Sequence, residues 1–271
     1  MPRVISLLTD FGPSGVAVSE MKATLLGLAP DAHLVDISHT IKPQNIPEGA
    51  RILSRSPFYF PDGTVHIYVV DPGVGTKRRP MAARIGSQTF VGPDNGTLTL
   101  ALRRAETEGW PTAFYHLDQP KYWRPKVSNI FHGRDIFAPV AAHLANGVPL
   151  DAVGTQIADP VILPLPRVEP TANGVRGQVA VAVSHFGNLI TNINVNDLES
   201  WDGVTVRLHS AGGRVTDIEG MVRTFGDKPA GELVALIGSD DELVIAEVNG
   251  HAANRLGTGV GDVVEVILNG Q

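Results

Sequence analysis

The run Val65 to Val70, VHIYVV, constrains the fold of this chain more than any other stretch. Apolar side chains stand on successive positions, so both faces of the strand need cover, which a parallel sheet between helices provides. The run ends in Asp71-Pro72-Gly73-Val74-Gly75, a turn sequence, with Arg78 seven residues after Asp71. In covered parallel sheets, ligands gather beyond the carboxyl ends of the strands. A carboxylate and a guanidinium delivered there by a tight turn suit an active site. Taken singly, each has a plainer reading, Asp71 as a turn opener and Arg78 as a solvated cation.

The rest of the first half alternates strand and helix. Val4 to Leu8 reads as a strand ending at Thr9-Asp10-Phe11-Gly12. Met21, Leu25 and Leu28 share one face of a helix that stops before Pro30. His33 to Ile37 reads as a second strand, and Asn45 with Glu48 as a capping box opening a helix through Ile52 and Leu53. Met81 to Ile85 and Thr89 to Val91 suggest a hairpin around Gly86-Ser87. The turn Pro93-Asp94-Asn95-Gly96 then leads into a helix carrying Leu98, Leu100 and Leu102, and Asp135 is placed to cap a helix from Ile136 to Ala145. This alternation predicts an α/β domain with a mostly parallel sheet.

Between Asp159 and Gly174 stand Pro160, Pro164, Pro166 and Pro170, the composition of a linker. Beyond it come seven short β-branched runs separated by glycine turns, from Val175–Val183 to Val263–Leu268. They predict a smaller carboxy-terminal antiparallel domain, barrel-like or sandwich-like. The expected division is 1–160, a linker at 161–170, and 171–271.

Composition removes whole classes of function. With 271 residues there is room for a substantial core, and a net charge of -6 argues against general nucleic-acid affinity. The absence of cysteine excludes disulfides, thiolate nucleophiles and Cys-ligated zinc. No signal-like region opens the chain and no apolar run approaches a membrane span, so a cytoplasmic protein is expected. No GxxxxGK[ST] loop, GxGxxG turn or GxSxG elbow occurs.

Polar clusters fall at strand ends and turns: Asp10 in TDFG, Asp71 with Arg78, Asp94-Asn95 in PDNG, and His132 in FHGRD. The second half adds Phe186, Asn188 and Asn192 in FGNLITN, and Ser239 in GSDDEL. His132 is the natural proton carrier, because imidazole titrates nearest neutrality, although many histidines merely pack. Asp10, directly after the first strand, is placed to hold ribose hydroxyls, or serves only its turn. Phe186 suits a base-stacking platform or a core position. Asp10, Asp71, Asp94 and His132 also suggest a divalent-metal hydrolase of nucleotides or phosphoesters, but Arg78 would crowd a cation and no HxH or DxD pair is present.

Taken together, TDFG, DISHTI, VVDPGVGT-x-RR, GPDNG, FHGRDIFAP, FGNLITNI and VNG-x-AA-x-RLG resemble the S-adenosylmethionine (SAM) hydroxide adenosyltransferase family, the hydrolytic relatives of the fluorinase and chlorinase. The resemblance covers nearly the whole chain. It implies an α/β amino-terminal domain, a β-barrel-like carboxy-terminal domain, and a homotrimer with active sites between subunits. It also implies water attack on the ribose 5′ carbon of SAM, giving adenosine and L-methionine without a cofactor or metal. By motif position the water-activating set falls on Asp71, Arg78 and His132. Asp10 would grip the ribose, Phe186, Asn188 and Phe225 with backbone near Asn249 would hold the adenine, and Ser239 would help with the methionine end. Halogenases carry tyrosine in place of the DPGVG acid and alter the HG pair, whereas this chain keeps Asp71, His132 and Gly133. One departure stands out. Relatives often carry an acid two residues before the FGN phenylalanine to meet the methionine ammonium; here that position is Ser184, with Asp240 and Asp241 as neighbouring acids. A non-catalytic binder of adenosine or SAM is the reading that this departure favours.

Overall fold

The computed structural model describes residues 3–183 and 185–269. They divide into two units, Met1–Pro164 and Leu165–Gln271.

In the first unit, β1 (Val4–Thr9), β2 (His33–Ser38), β3 (Val65–Val69) and β5 (Gln88–Pro93) run parallel in the order β2-β1-β3-β5. Every residue of β3 and β5 is buried, as the unbroken apolar run requires. The sheet continues antiparallel through β4 (Pro80–Ile85), β6 (Thr112–His116) and β7 (Thr155–Ile157). A two-residue turn at Gly86-Ser87 leaves β4 and β5 no choice but to pair antiparallel. The parallel half is therefore the half that carries the strand ends of interest. The short, partly exposed β6 and β7 gave no sequence signal.

Helices α1 (Ala17–Leu28) and α4 (Ala138–Ala145) cover one face of the sheet, α2 (Ile46–Leu53) and α3 (Thr99–Glu108) the other. Strand alternation splits β3 between them: Val65, Ile67 and Val69 join Met21, Leu25 and Phe137, while Tyr68 joins Leu53, Leu98 and Ala101. Each large apolar side chain so buried contributes about 1.5–3 kcal/mol. Leu28, expected on the buried face of α1, is exposed. Asn45 caps α2 through the Glu48 N–H, but Glu48 turns back to the Lys42 N–H and the Asn45 amide, so the expected box is only half formed.

Gly92 allows β5 to lie close against β3, since a Cβ there would overlap the carbonyl and ring of Tyr68. Gly92→Ala should lower unfolding free energy by about 1–3 kcal/mol. An unchanged thermal midpoint would show that this approach is not limiting.

The proline-rich stretch is tied down at both ends. Asp94 accepts the Val161 N–H at 2.8 Å and Thr99 Oγ1 accepts that of Leu163 at 2.9 Å, both within the first unit. Residues Glu169–Thr171 form a short strand, β8, on β9 (Gly174–Ala182). The second unit continues with β10 (Leu189–Asn194), β11 (Val204–His209), β12 (Val215–Glu219), β13 (Leu233–Ile237), β14 (Glu242–Glu247), one short helix α5 (Ala252–Leu256) and β15 (Val263–Leu268). The antiparallel order β12-β11-β15-β9-β10-β14-β13 curls into a nearly closed barrel, with the Val222 N–H reaching the Ala235 carbonyl at 2.9 Å. Val179, Leu189, Val206, Ile245 and Val264 fill its interior.

Candidate active site

The chain leaves β1 toward β2 on one side and then crosses to β3 on the other, so the strand order reverses between β1 and β3. Such a switch point opens a crevice at the carboxyl ends of the strands. Asp10 follows β1 and Asp71 lies just beyond β3, one on each side of that crevice. The Asp10 N–H reaches the Val69 carbonyl at 3.4 Å, which ties the two strand ends together.

The DPGVGT turn is built by its glycines. A Cβ at Gly73 would press on the Arg78 stem, and one at Gly75 (φ +77°) would overlap the Asn129 carbonyl. The turn thus folds Arg78 back on Asp71 while lying against the backbone that leads to His132. Asn95 of the PDNG motif donates to the Val70 carbonyl at 2.8 Å, fixing the residue before Asp71.

Arg78 joins the three side chains. Its Nε donates to both Asp71 oxygens at 3.0 Å, and Nη2 donates to Asp71 Oδ2 at 2.6 Å and to His132 Nδ1 at 2.8 Å. The Asp71 and Arg78 side chains are only 3% and 8% exposed, so solvent screens this pair weakly. The Arg78 guanidinium carbon stands 5.3 Å from the centre of the Phe137 ring, and Nη1 is buried with no hydrogen-bond partner among the described residues. A guanidinium only donates, so His132 Nδ1 must present a lone pair and the ring proton sits on Nε2. Burial first, then the Arg78 charge, lower the His132 pKa, against the opposing pull of Asp71 and Asp135. His132 is therefore a neutral imidazole near neutral pH.

His132 is held by a single π turn, Gly133–Phe137, rather than by the start of an α-helix. The expected Asp135 cap is corrected here: Asp135 lies inside the turn, fully buried, and α4 begins at Ala138. The wider ring, closed by the Ala138 N–H on the Gly133 carbonyl, absorbs the extra residue. The Asp135 carboxylate accepts from Arg134 Nε at 2.7 Å and from the Ser128 N–H at 2.8 Å, so it anchors the preceding loop. Gly133 packs against Met21, where a Cβ would sit 3.1 Å from sulfur. Two contributors were missed by sequence reasoning: Phe137, which stands inside FHGRDIFAP without a signal of its own, and the Asn129 backbone.

The four candidate metal ligands do not converge, and among the described residues no three His, Asp or Glu side chains form a ligand cluster. Asp94 is taken up by Arg79, at 2.7 Å, and by the linker.

Both halves of the chain match family models: residues 5–154 the SAM hydroxide adenosyltransferase N-terminal domain, and residues 178–265 its C-terminal domain. The chain belongs to the SAM hydroxide adenosyltransferase family. Among its relatives is the (R)-S-adenosyl-L-methionine hydrolase of Salinispora arenicola, 36% identical over 97% of each chain. A fluorinase from an Actinoplanes species is 31% identical over 72% of this chain and 73% of its own. A solved structure from Thermotoga maritima, described as an uncharacterized conserved protein, is 34% identical, has a TM-score of 0.87, and covers 97% of this chain and 99% of that one.

The residues expected to contact substrate from the second unit fall in three places. Phe186, 63% exposed, and Asn188 flank Gly187, which packs on His251 and accepts the Ala253 N–H; Asn249 lies two residues before His251. Phe225, 46% exposed, opens a one-turn helix, Phe225–Asp227, capped by Thr224. Ser239 stands at the other end of the six-residue β14 from Asn249, roughly 20 Å along the strand, and donates to Asp240 at 2.9 Å. Ser184 lies outside the described residues.

Proposed function

We infer that this chain hydrolyses SAM to adenosine and L-methionine, with Asp71, Arg78 and His132 activating the water. The observation that carries the reading is the Arg78 guanidinium bridging Asp71 and His132 at the end of β3, in a chain whose near-full-length relatives are named for this hydrolysis.

The chemistry follows from what each group can supply. The sulfonium leaves as a neutral thioether, so the barrier lies in making water nucleophilic. Water attacks C5′, the C5′–S pair returns to sulfur, and the released proton passes to a base. His132 keeps its proton on Nε2 while Nδ1 is occupied by Arg78, so it serves as a donor that orients the water oxygen. The base is then Asp71, whose carboxylate retains unused lone pairs. The Arg78 charge, with Nη1 uncommitted, stabilises the hydroxide-like oxygen as the proton leaves. Asp10 holds the ribose. Phe186, Asn188, Phe225 and the Asn249 turn hold the adenine, and Ser239 meets the methionine end with Asp240 or Asp241 standing in for an acid at position 184.

The relatives' names specify the (R) sulfonium, and the same epimer is proposed as the substrate here. The assembly is proposed as a homotrimer in which the large domain of one subunit completes its site with the small domain of the next. The exposure of Phe186 and Phe225 supports this. A cytoplasmic location is proposed, since a chain without cysteine draws nothing from an oxidising compartment. No helix among the described residues is long and apolar enough to cross a membrane.

Incubation with SAM in the presence of a chelator should yield adenosine and methionine in equal amounts, faster from the (R) than the (S) epimer. The same preparation should run at three times the chain mass. Activity that vanishes with the chelator and returns with a divalent ion would instead indicate a metallohydrolase, and binding without products a non-catalytic binder.

A further inference from the structure

The DISHTI motif, Asp36 to Ile41, is left without a role by the hydrolysis itself. We propose that His39 is a positioning residue that fixes Asp10 for the ribose; this rests on the reading that Asp10 binds the nucleoside.

Behind the TDFG turn runs a chain of polar contacts. His39 Nδ1 lies 2.9 Å from Thr9 Oγ1, and His39 Nε2 lies 3.0 Å from Asp36 Oδ1. Lys22 of α1 holds the other Asp36 oxygen at 2.6 Å. Thr9 is fully buried and its Oγ1 also accepts the Phe11 N–H at 3.3 Å. With Thr9 Oγ1 donating to Nδ1, the Nε2 proton lies on the Asp36 side, close enough for an ionic contact but without hydrogen-bond geometry. Thr9 cannot act as a nucleophile from that position, so the carboxylate–imidazole–hydroxyl series is a brace and not a second active site.

The backbone of the same segment encloses the turn. The His39 carbonyl accepts the Gly12 N–H at 2.8 Å, and the Gln44 N–H donates to Asp10 Oδ2 at 2.7 Å. Gln44 does so with φ +64°, a left-handed conformation uncommon for a side chain of its type. Asp10 is thus gripped on Oδ2 by the backbone. Two adjacent ribose hydroxyls need an acceptor held at a fixed angle, and His39 holds the turn that sets it.

The test uses SAM and its 2′-deoxyribose analogue. His39→Ala should raise KM for SAM by about tenfold with kcat changed less than about threefold, and should shrink the preference for SAM over the deoxy analogue. Thr9→Val removes the hydroxyl and keeps the shape, so it should reproduce both effects, and the double variant should be no worse than His39→Ala. His39→Asn, whose side-chain oxygen can sit where Nδ1 does, should restore part of the affinity. If His39→Ala fails to fold, Thr9→Val decides alone. Should Asp10→Ala erase the ribose preference while His39→Ala and Thr9→Val retain it, the proposal is overturned and the role of Asp10 stands. Should Asp10→Ala retain the preference, both are overturned.

Discussion

Asp71→Asn should slow adenosine release by about a thousandfold, while adenosine binding, measured by calorimetry, stays within a few fold of wild type. The substitution keeps the shape of the side chain and removes its charge and its proton affinity. The new amide would also present an N–H where Arg78 Nη2 now donates at 2.6 Å, so the bidentate contact is lost. A buried guanidinium without its carboxylate costs about 3–5 kcal/mol, so the variant should melt earlier as well. The rate comparison therefore belongs well below the variant's unfolding range. Wild-type turnover in a folded Asp71→Asn enzyme would remove Asp71 from the chemistry and return the base role to another group.

Acid should destabilise the protein through His66, a residue with no part in the reaction. His66 is the second residue of β3, fully buried between Phe60 and Phe90, with Nδ1 2.6 Å from Ser6 Oγ and Nε2 3.2 Å from Gln88 Oε1. The Gln88 amide nitrogen donates to the Phe60 carbonyl, so its oxygen faces the ring and the ring proton lies on Nε2. Every polar atom of the neutral ring is satisfied. Burial lowers the His66 pKa from 6.5 to about 4, against the smaller upward pull of Gln88. The sign follows directly: below pH 6.5 the unfolded chain takes up a proton that the folded chain refuses. Stability is complete above that pH, and about 3 kcal/mol is lost as pH falls to about 4, on the scale of about 1.4 kcal/mol per unit. His132 and His143, also lowered by burial, add to the same slope. Denaturant titrations at several pH values should show a shallower acid loss in His66→Phe than in wild type. Parallel slopes in the two proteins would rule out His66 as the titrating group.

These two residues also show where sequence reasoning succeeds and where it ends. Asp71 and Arg78 were legible because seven residues of turn sequence follow a strand that can only be central. Their grouping with His132, 54 residues further on, came only through the family resemblance, and the Arg78 bridge that makes it was not legible. It depends on Gly75 lying against Asn129 and on a π turn in place of an α-helix start, and neither leaves a periodic trace in the residues. His66 looked like one more position in an apolar strand, and its polar partners come from β1 and β5. DISHTI could be recognised as a motif, but its task could not, because Thr9 is brought to it only by the parallel register of β1 and β2.

Local chemistry decided the elements. Unbroken apolar runs made the central strands, glycine and proline placed the turns, and the change to β-branched runs after residue 174 announced a small antiparallel β domain, barrel-like or sandwich-like. Contacts between distant segments decided the rest: which nitrogen of His132 keeps its proton, where Asp135 is used, and what holds Asp10. Those depend on where side chains meet across strands and loops, and spacing along one chain does not encode that meeting.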